Sequence, residues 1–225
     1  KNISFSISAG EKVAFVGETG AGKSTLINLL SRFYEINEGK ILIDGLPISN
    51  YDLYDFRKKI GIVNQDVFLF ADTIYNNITL WDSSIGFRDV VSAAKRIGVH
   101  DFIDSLPGKY DFNVKERGGV LSTGQRQLIS FLRAYIKKPK ILILDEATSS
   151  IDTQSELMIQ KATKEVTKNK TSLVIAHRLS TIKKADKIIV MDKGSIVEIG
   201  CHKSLLLKSD GYYKKLHDAQ FFRKK

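Results

Sequence analysis

Residues 17–24 read Gly-Glu-Thr-Gly-Ala-Gly-Lys-Ser and fit the spacing G-x-x-x-x-G-K-[ST] at every fixed position. The pattern constrains the fold because it works only between a strand and a helix, and both flanks comply. Residues 12–16, Lys-Val-Ala-Phe-Val, are apolar and β-prone and predict a short buried strand. Residues 25–33 predict a helix with Leu26, Leu29, Leu30 and Phe33 on one side. Gly17, Gly20 and Gly22 let the backbone curl so that several N–H groups converge on one anion. The helix opening at Lys23 adds its positive end. In such a loop Lys23 reaches the outer phosphates of a nucleotide and the Ser24 hydroxyl takes a place on Mg²⁺. The competing reading is a glycine-rich turn that merely packs; a complete match between strand and helix disfavours it.

Beyond the loop, strand and helix patterns alternate. A strand is expected at 40–44, broken by Leu46-Pro47, then a helix at 52–57 and a strand at 60–63 that leads into Gln65. From about 67 to 138 the β pattern disappears, and helices are expected at 87–97, 100–105 and 125–136: a helical insertion between strands of a sheet. The sheet resumes with 141–144, a continuous apolar run of the buried parallel type. Thr153-Gln154-Ser155-Glu156 reads as a capping box opening a helix to about 166. Strands follow at 171–176, 187–191 and 195–199, with Gly194 in the turn between the last two, and a basic helical stretch runs from His202. Residues 1–7 alternate like a strand, which would need a partner, so the chain is expected to begin inside a larger polypeptide. This order argues for an α/β core with a mainly parallel sheet.

A phosphate loop indicates a nucleotide and leaves the reaction open. Asp145-Glu146 at the end of the 141–144 strand narrows it, since ligands collect at the carboxyl ends of parallel strands. Asp145 can hold Mg²⁺, and Glu146 can orient or deprotonate a water, which suggests hydrolysis rather than transfer to a bound acceptor. The bland reading is a solvated acidic helix start. Ser122 is an expected N-cap, making the stretch 121–125 a second helix start able to face an anion; alone it is only a capped helix. His177 follows the 171–176 strand and could contact the terminal phosphate, although a lone histidine is more often a structural contact. Gln65, also at a strand end, could coordinate Mg²⁺ or sense the nucleotide. His100, His202 and His217 have no such context.

Composition sets outer bounds. The formal net charge is +10, which allows a nucleic-acid partner, an anionic membrane surface, or simply a solubilising face. The lysines come in scattered pairs rather than one block, which weakens the nucleic-acid reading. Apolar runs are a few residues long, too short to span a bilayer, and no secretory signal is seen. The one cysteine, Cys201, excludes an internal disulfide and suits a reducing compartment.

In this order the motifs resemble the nucleotide-binding domain of ATP-binding cassette (ABC) transporters over nearly the whole chain. Residues 17–24 match the Walker A loop, Gln65 the Q-loop, Glu116 the short loop before the signature in exporters, 121–125 the LSGGQ signature, 141–146 Walker B, 149–152 the D-loop and His177 the switch histidine. The runs at 145–149 and 176–181 look most like the exporter branch. The resemblance implies one ABC domain over 1–225, with a helical subdomain at about 67–138 inserted in a RecA-like P-loop NTPase core, an antiparallel β part and a helical tail at about 202–225. It implies ATP and Mg²⁺ bound by Gly17, Glu18, Thr19, Gly20, Ala21, Gly22, Lys23, Ser24 and Thr25, with Ser24, Gln65 and Asp145 at the metal. Lys23, Gln65, Glu146 and His177 would serve hydrolysis. Ser122, Gly124 and Gln125 would face the ATP of a second such domain paired head to tail. A membrane domain would precede residue 1, placing this domain on the cytoplasmic face of the membrane and powering export, with no nucleic-acid partner. Two departures stand out. Thr123 occupies a signature position where the family has glycine, as in exporter pairs with one weakened site, and the aromatic residue that stacks on adenine would lie ahead of residue 1. The rival is a soluble ABC-type ATPase acting on nucleic acid or ribosomes. A P-loop kinase is disfavoured by Glu146 and the signature.

Overall fold

The structure, a computed structural model, describes residues 2–145, 151–176 and 178–221. In chain order the elements are β1 (Lys12–Val16), α1 (Lys23–Leu30), β2 (Leu42–Ile43), β3 (Leu46–Pro47), α2 (Leu53–Lys58), β4 (Ile60–Val63), α3 (Ile74–Thr79), α4 (Phe87–Ile97), α5 (His100–Asp104) and α6 (Thr123–Ile136). There follow β5 (Ile141–Asp145), α7 (Thr153–Val166), β6 (Thr171–Ile175), α8 (Leu179–Lys183), β7 (Lys187–Asp192), β8 (Ser195–Gly200), α9 (His202–Leu206) and α10 (Tyr212–Phe221). The described residues form two compact units. One comprises Lys1–Ile60, Lys140–Ala147 and Lys170–Lys225; the other comprises Gly61–Pro139 and Thr148–Asn169.

The first unit is built on a sheet in which β5, β6, β1, β7 and β8 are successive neighbours. The β5–β6, β6–β1 and β1–β7 pairs are parallel, and β7–β8 is antiparallel. The central strands carry unbroken apolar runs because both their faces are covered: Val13, Ala14 and Phe15 of β1 and Ile188, Ile189 and Val190 of β7 are fully buried. The expected mainly parallel α/β core, with an antiparallel part, is what the chain forms.

Local departures have local causes. Residues 2–8 keep alternating exposure, with Phe5 edge-on to Phe15, yet form no strand. Leu46-Pro47 does not break a strand; it is β3, folded back on β2 through Asp44 and Gly45, both at positive φ, the backbone of a two-residue hairpin turn. Helix α1 stops at Leu30, leaving Phe33 half exposed beneath the Arg57 guanidinium; its buried face is Leu26 and Ile27. The cap of α7 is Asp152 rather than Thr153, its carboxylate accepting the Ser155 N–H at 2.8 Å.

The second unit packs α6 against α3, α4 and α7. Its centre is Leu128, Ile129, Phe131 and Leu132 of α6, with Val90, Ala94 and Ile97 of α4. Helix α4 spans the expected residues and ends at Gly98, a left-handed C-cap. Helix α3 is too short for a periodic signal to have announced it. The half-buried Arg133, its pKa lowered by desolvation, donates to the carbonyls of Asn77 (2.8 Å) and Phe68 (3.2 Å). The Asn77 side chain bonds Phe70 N–H, Phe70 O and Thr73 O. These bonds fix the loop between β4 and α3, on which Phe68 and Phe70 stand exposed, Phe70 stacking edge-on with both Phe68 and Trp81.

At the end of the first unit, His202 Nδ1 lies 2.7 Å from the hydroxyl of the buried Tyr213, and the His202 and His217 rings are 5.7 Å apart. Burial lowers the His202 pKa from its ordinary 6.5, helped by the nearby charges of His217 and Lys183. The folded state therefore binds fewer protons than the unfolded state. The stability His202 contributes is present above its unfolded value and is lost as pH falls through its lower folded value. The melting temperature is accordingly expected to drop between pH 7.5 and 5, and His202→Gln is expected to shrink that drop; an unchanged drop would clear His202 of the effect.

Candidate nucleotide site

The phosphate loop leaves β1 at Val16 and enters α1 at Lys23, as the strand–loop–helix pattern requires. Gly22, at φ 97°, is the N-cap of α1. No side chain caps this helix, and no acidic residue sits in its first turn, so its leading N–H groups are unspent and its positive end is unopposed. Gly17 is buried and answers a different demand. A Cβ there would lie 2.2 Å from the backbone oxygen of Met191, so only glycine lets β7 pass this close. Glu18, Thr19, Gly20, Ser24 and Thr25 are exposed, and Ala21 is buried.

Lys23 is 7% exposed, and its ammonium is drawn back into the loop, donating to Gly17 O and Glu18 O at 2.8 Å each. An ammonium has three donors; two are spent on the loop itself. Burial pushes its pKa below the usual lysine value, and the Asp145 carboxylate opposes that shift. Asp145 closes β5 opposite Ile175 of β6, half-buried at the carboxyl edge of the parallel strands. The structure thus brings the loop, Lys23 and Asp145 together in one unit. A buried cation, an uncapped helix N-terminus that carries the Ser24 hydroxyl in its first turn, and the Asp145 carboxylate suit a phosphate with a hard metal ion, whose other ligands would come from substrate and water. Among the described residues no cluster of three or more His, Cys, Asp or Glu side chains could hold a metal by itself. Glu146 and His177 lie outside the described residues.

The signature stretch lies in the second unit. Ser122 caps α6 as expected: its hydroxyl accepts the Gln125 N–H at 3.2 Å, and Gln125 Oε1 accepts the Ser122 N–H at 2.9 Å, a reciprocal box. Arg126 donates to Leu121 O (2.7 Å) and to the Thr123 hydroxyl (3.1 Å). Thr123 is exposed, its φ is not positive, and its side chain is held by that arginine. The glycine that packing demands is Gly124, where a Cβ would fall 2.5 Å from Ser155 Cβ and 3.1 Å from Ile151 Cγ2. A cavity of about 350 Å³ opens beside this helix start, lined by Ser122, Gln125, Asp152 and Ser155 among others. Gln65 is exposed just past β4, and Glu116 is exposed in a single 3₁₀ turn.

Sequence reasoning missed the part that Met191 and Gly194 play at the phosphate loop. Gly194 N–H donates to Ala21 O at 3.1 Å, and with Met191 it walls the back of the phosphate loop. Only the β1–β7 pairing brings them there, and nothing local announces it.

The family described as ABC transporter matches residues 1–149. The chain belongs to that family. This ABC chain is 50% identical over 221 residues to the ATP-dependent lipid A-core flippase of Syntrophus aciditrophicus (strain SB), an alignment covering 98% of the chain and 37% of the flippase. It is also 50% identical over 220 residues to a Staphylococcus aureus (strain NCTC 8325 / PS 47) protein named for multidrug export as an ATP-binding/permease protein, covering 98% and 38% respectively. A solved bacterial Atm1-family ABC exporter with ATP bound superposes with a TM-score of 0.90 at 43% identity, covering 99% of this chain and 39% of that one. The ABC chain therefore spans less than two-fifths of the length of these relatives. It is an ATP-binding, ATP-hydrolysing domain of the ABC type. Among its described residues no helix is long and apolar enough to cross a membrane.

Proposed function

We propose that the chain is the motor domain of an exporter, binding ATP with Mg²⁺ at the phosphate loop and coupling hydrolysis to movement of cargo across a membrane. The observation that carries the site is the buried Lys23 ammonium, set between the loop carbonyls and the charge of Asp145 at the start of an uncapped helix. Residues 17–25 hold the triphosphate through backbone N–H groups and Lys23. Ser24 and Asp145 would hold Mg²⁺, which would neutralise charge on the phosphate oxygens. Glu146 orients and deprotonates the attacking water, and His177 steadies the terminal phosphate.

Export rests on the relatives: one is named as a lipid A-core flippase, another for multidrug export, and both are far longer than this chain. We place the domain on the cytoplasmic face, held by a membrane domain in the same polypeptide. It pairs with a second nucleotide-binding domain that receives Ser122, Gly124 and Gln125. Thr123, its hydroxyl accepting from Arg126, gives the signature a bulkier face than glycine would, which supports an unlike partner whose own ATP site is weakened. The exposed Phe68–Phe70–Trp81 group that follows Gln65 supplies an apolar surface through which motion passes to the membrane domain.

The test is Lys23→Ala in the intact protein. Losing charge-assisted hydrogen bonds to phosphate is expected to weaken ATP binding by about ten- to a hundredfold, measured by calorimetry. Binding within about twofold of the parent would remove Lys23 from the site.

A further inference from the structure

We infer that Arg126 is a positioning residue for the signature stretch 121–125, and that the Thr123 hydroxyl holds it in place. The inference rests on that stretch facing a nucleotide.

The turn ahead of α6 does not hold itself. Lys115, Arg117 and Gly118 stand at positive φ, at 60°, 53° and 69°. For the two that carry a Cβ this backbone is costly and persists only where surrounding groups enforce it. Gly119 N–H donates to Glu116 O at 3.0 Å and Leu121 N–H to Gly118 O at 2.9 Å. Both bonds lie within the segment, and neither ties it to the helix that follows.

Arg126, the fourth residue of α6, supplies that tie. Its stem lies against the turn: a Cβ on Gly118 would fall 3.0 Å from Arg126 Cδ and 2.9 Å from Leu69 Cδ1. Its head reaches back past the Ser122 cap and donates to Leu121 O at 2.7 Å. The other terminal nitrogen donates to Thr123 Oγ1 at 3.1 Å. One side chain thus grips Gly118 by packing, Leu121 by its main chain and Thr123 by its hydroxyl.

This placement works against the helix's own field. A cation near a helix N-terminus is opposed by the dipole, and the first turn of α6 has no acidic residue to offset it. Arg126 is therefore kept there by its bonds to Leu121 and Thr123 and not by the helix. The outcome is a fixed positive charge beside a helix start, which favours an anion in front of it. A glycine at 123 would offer the guanidinium no acceptor. Beyond its bulk, Thr123 supplies the oxygen that sets where this charge sits.

The experiment measures steady-state ATP hydrolysis by the intact protein, with the melting temperature beside it. Thr123→Val keeps the bulk and removes the hydroxyl. Arg126→Met keeps an unbranched stem over Gly118 and removes the guanidinium. Each is expected to lower kcat by about three- to tenfold with KM for ATP within about twofold, since a contact completed only for the reaction lowers kcat and kcat/KM alike. Thr123→Ser, which keeps the hydroxyl and loses the bulk, is expected to hydrolyse faster than Thr123→Val. The double variant of Thr123→Val and Arg126→Met is expected to be no slower than Arg126→Met alone, because the group that the hydroxyl holds is already gone. An unchanged kcat in Thr123→Val, a Thr123→Ser as slow as Thr123→Val, or single effects that add in the double variant would overturn the inference. So would a loss of kcat matched by a loss of folded protein, which marks a merely structural residue. Thr123→Trp separates the two levels, because it sets a large side chain on an exposed position. It is expected to stop hydrolysis at an unchanged melting temperature. If hydrolysis persists, the signature reading fails; if it stops while Thr123→Val hydrolyses like the parent, only the role of Arg126 falls.

Discussion

Gly17→Ala is expected to fold and to lose most of its affinity for ATP. The added methyl would sit 2.2 Å from Met191 O and 3.1 Å from Ala21 Cβ, and the nearest obstacle is backbone on the central β1–β7 pair. Neither side can yield like a flexible side chain, so β1 and β7 must part or the loop must shift outward. Overpacking of this kind costs about 1–3 kcal/mol, which for a domain of this size is a fall of roughly 2–12 °C in melting temperature. The larger consequence is at the site. A loop displaced by a fraction of an ångström no longer directs its N–H groups at one point, and affinity is expected to drop by about tenfold or more. Gly20→Ala is the control: nothing lies within 4 Å of its Cβ, so the cost is only that of holding alanine at φ +84°, about 1 kcal/mol. Calorimetric titration of both variants decides it; Gly17→Ala binding as tightly as Gly20→Ala would mean that the contact with Met191 yields without moving the loop.

Glu146→Gln is expected to bind ATP and to hydrolyse it about 10²–10⁴-fold more slowly. The argument is one of placement along the chain. Asp145, which acts electrostatically on Lys23, ends β5 opposite Ile175. Glu146 is the next carboxylate, and His177 comes two residues after Ile175 on the neighbouring strand. Gln keeps the size and the hydrogen-bonding oxygen of Glu but cannot take a proton, so binding survives while the step that needs a base does not. Phosphate release measured beside nucleotide binding gives the answer, and a slowing of less than about threefold would strip Glu146 of the role.

Much of this was readable from residues alone because its determinants are local. The phosphate loop is a spacing of glycines, a lysine and a hydroxyl between two periodic segments. The apolar runs of β5, β6 and β7 show strands covered on both faces, and Ser122 with Gln125 is a cap defined within four residues. The failures were also local, where short elements carry too few residues for a period to show. Asp44-Gly45 makes Leu46-Pro47 a hairpin strand instead of a break, and α3 is six residues long.

Tertiary structure decided what depends on residues distant in sequence. That β1 lies between β6 and β7 cannot be read from three similar apolar runs, since any of them would bury equally well beside any other. Yet that order sets Met191 against Gly17 and Gly194 against Ala21, and so explains why one glycine of the loop is needed for close approach and others for their positive φ. In the same way Gly124 owes its identity to Ser155, thirty-one positions on, while Thr123 beside it is free to carry a side chain. Motif chemistry is written in short-range order because backbone geometry and capping act over a few residues. Which side chain, or which absence of one, a neighbour permits is settled only when strands and helices far apart in the chain come to share the same volume.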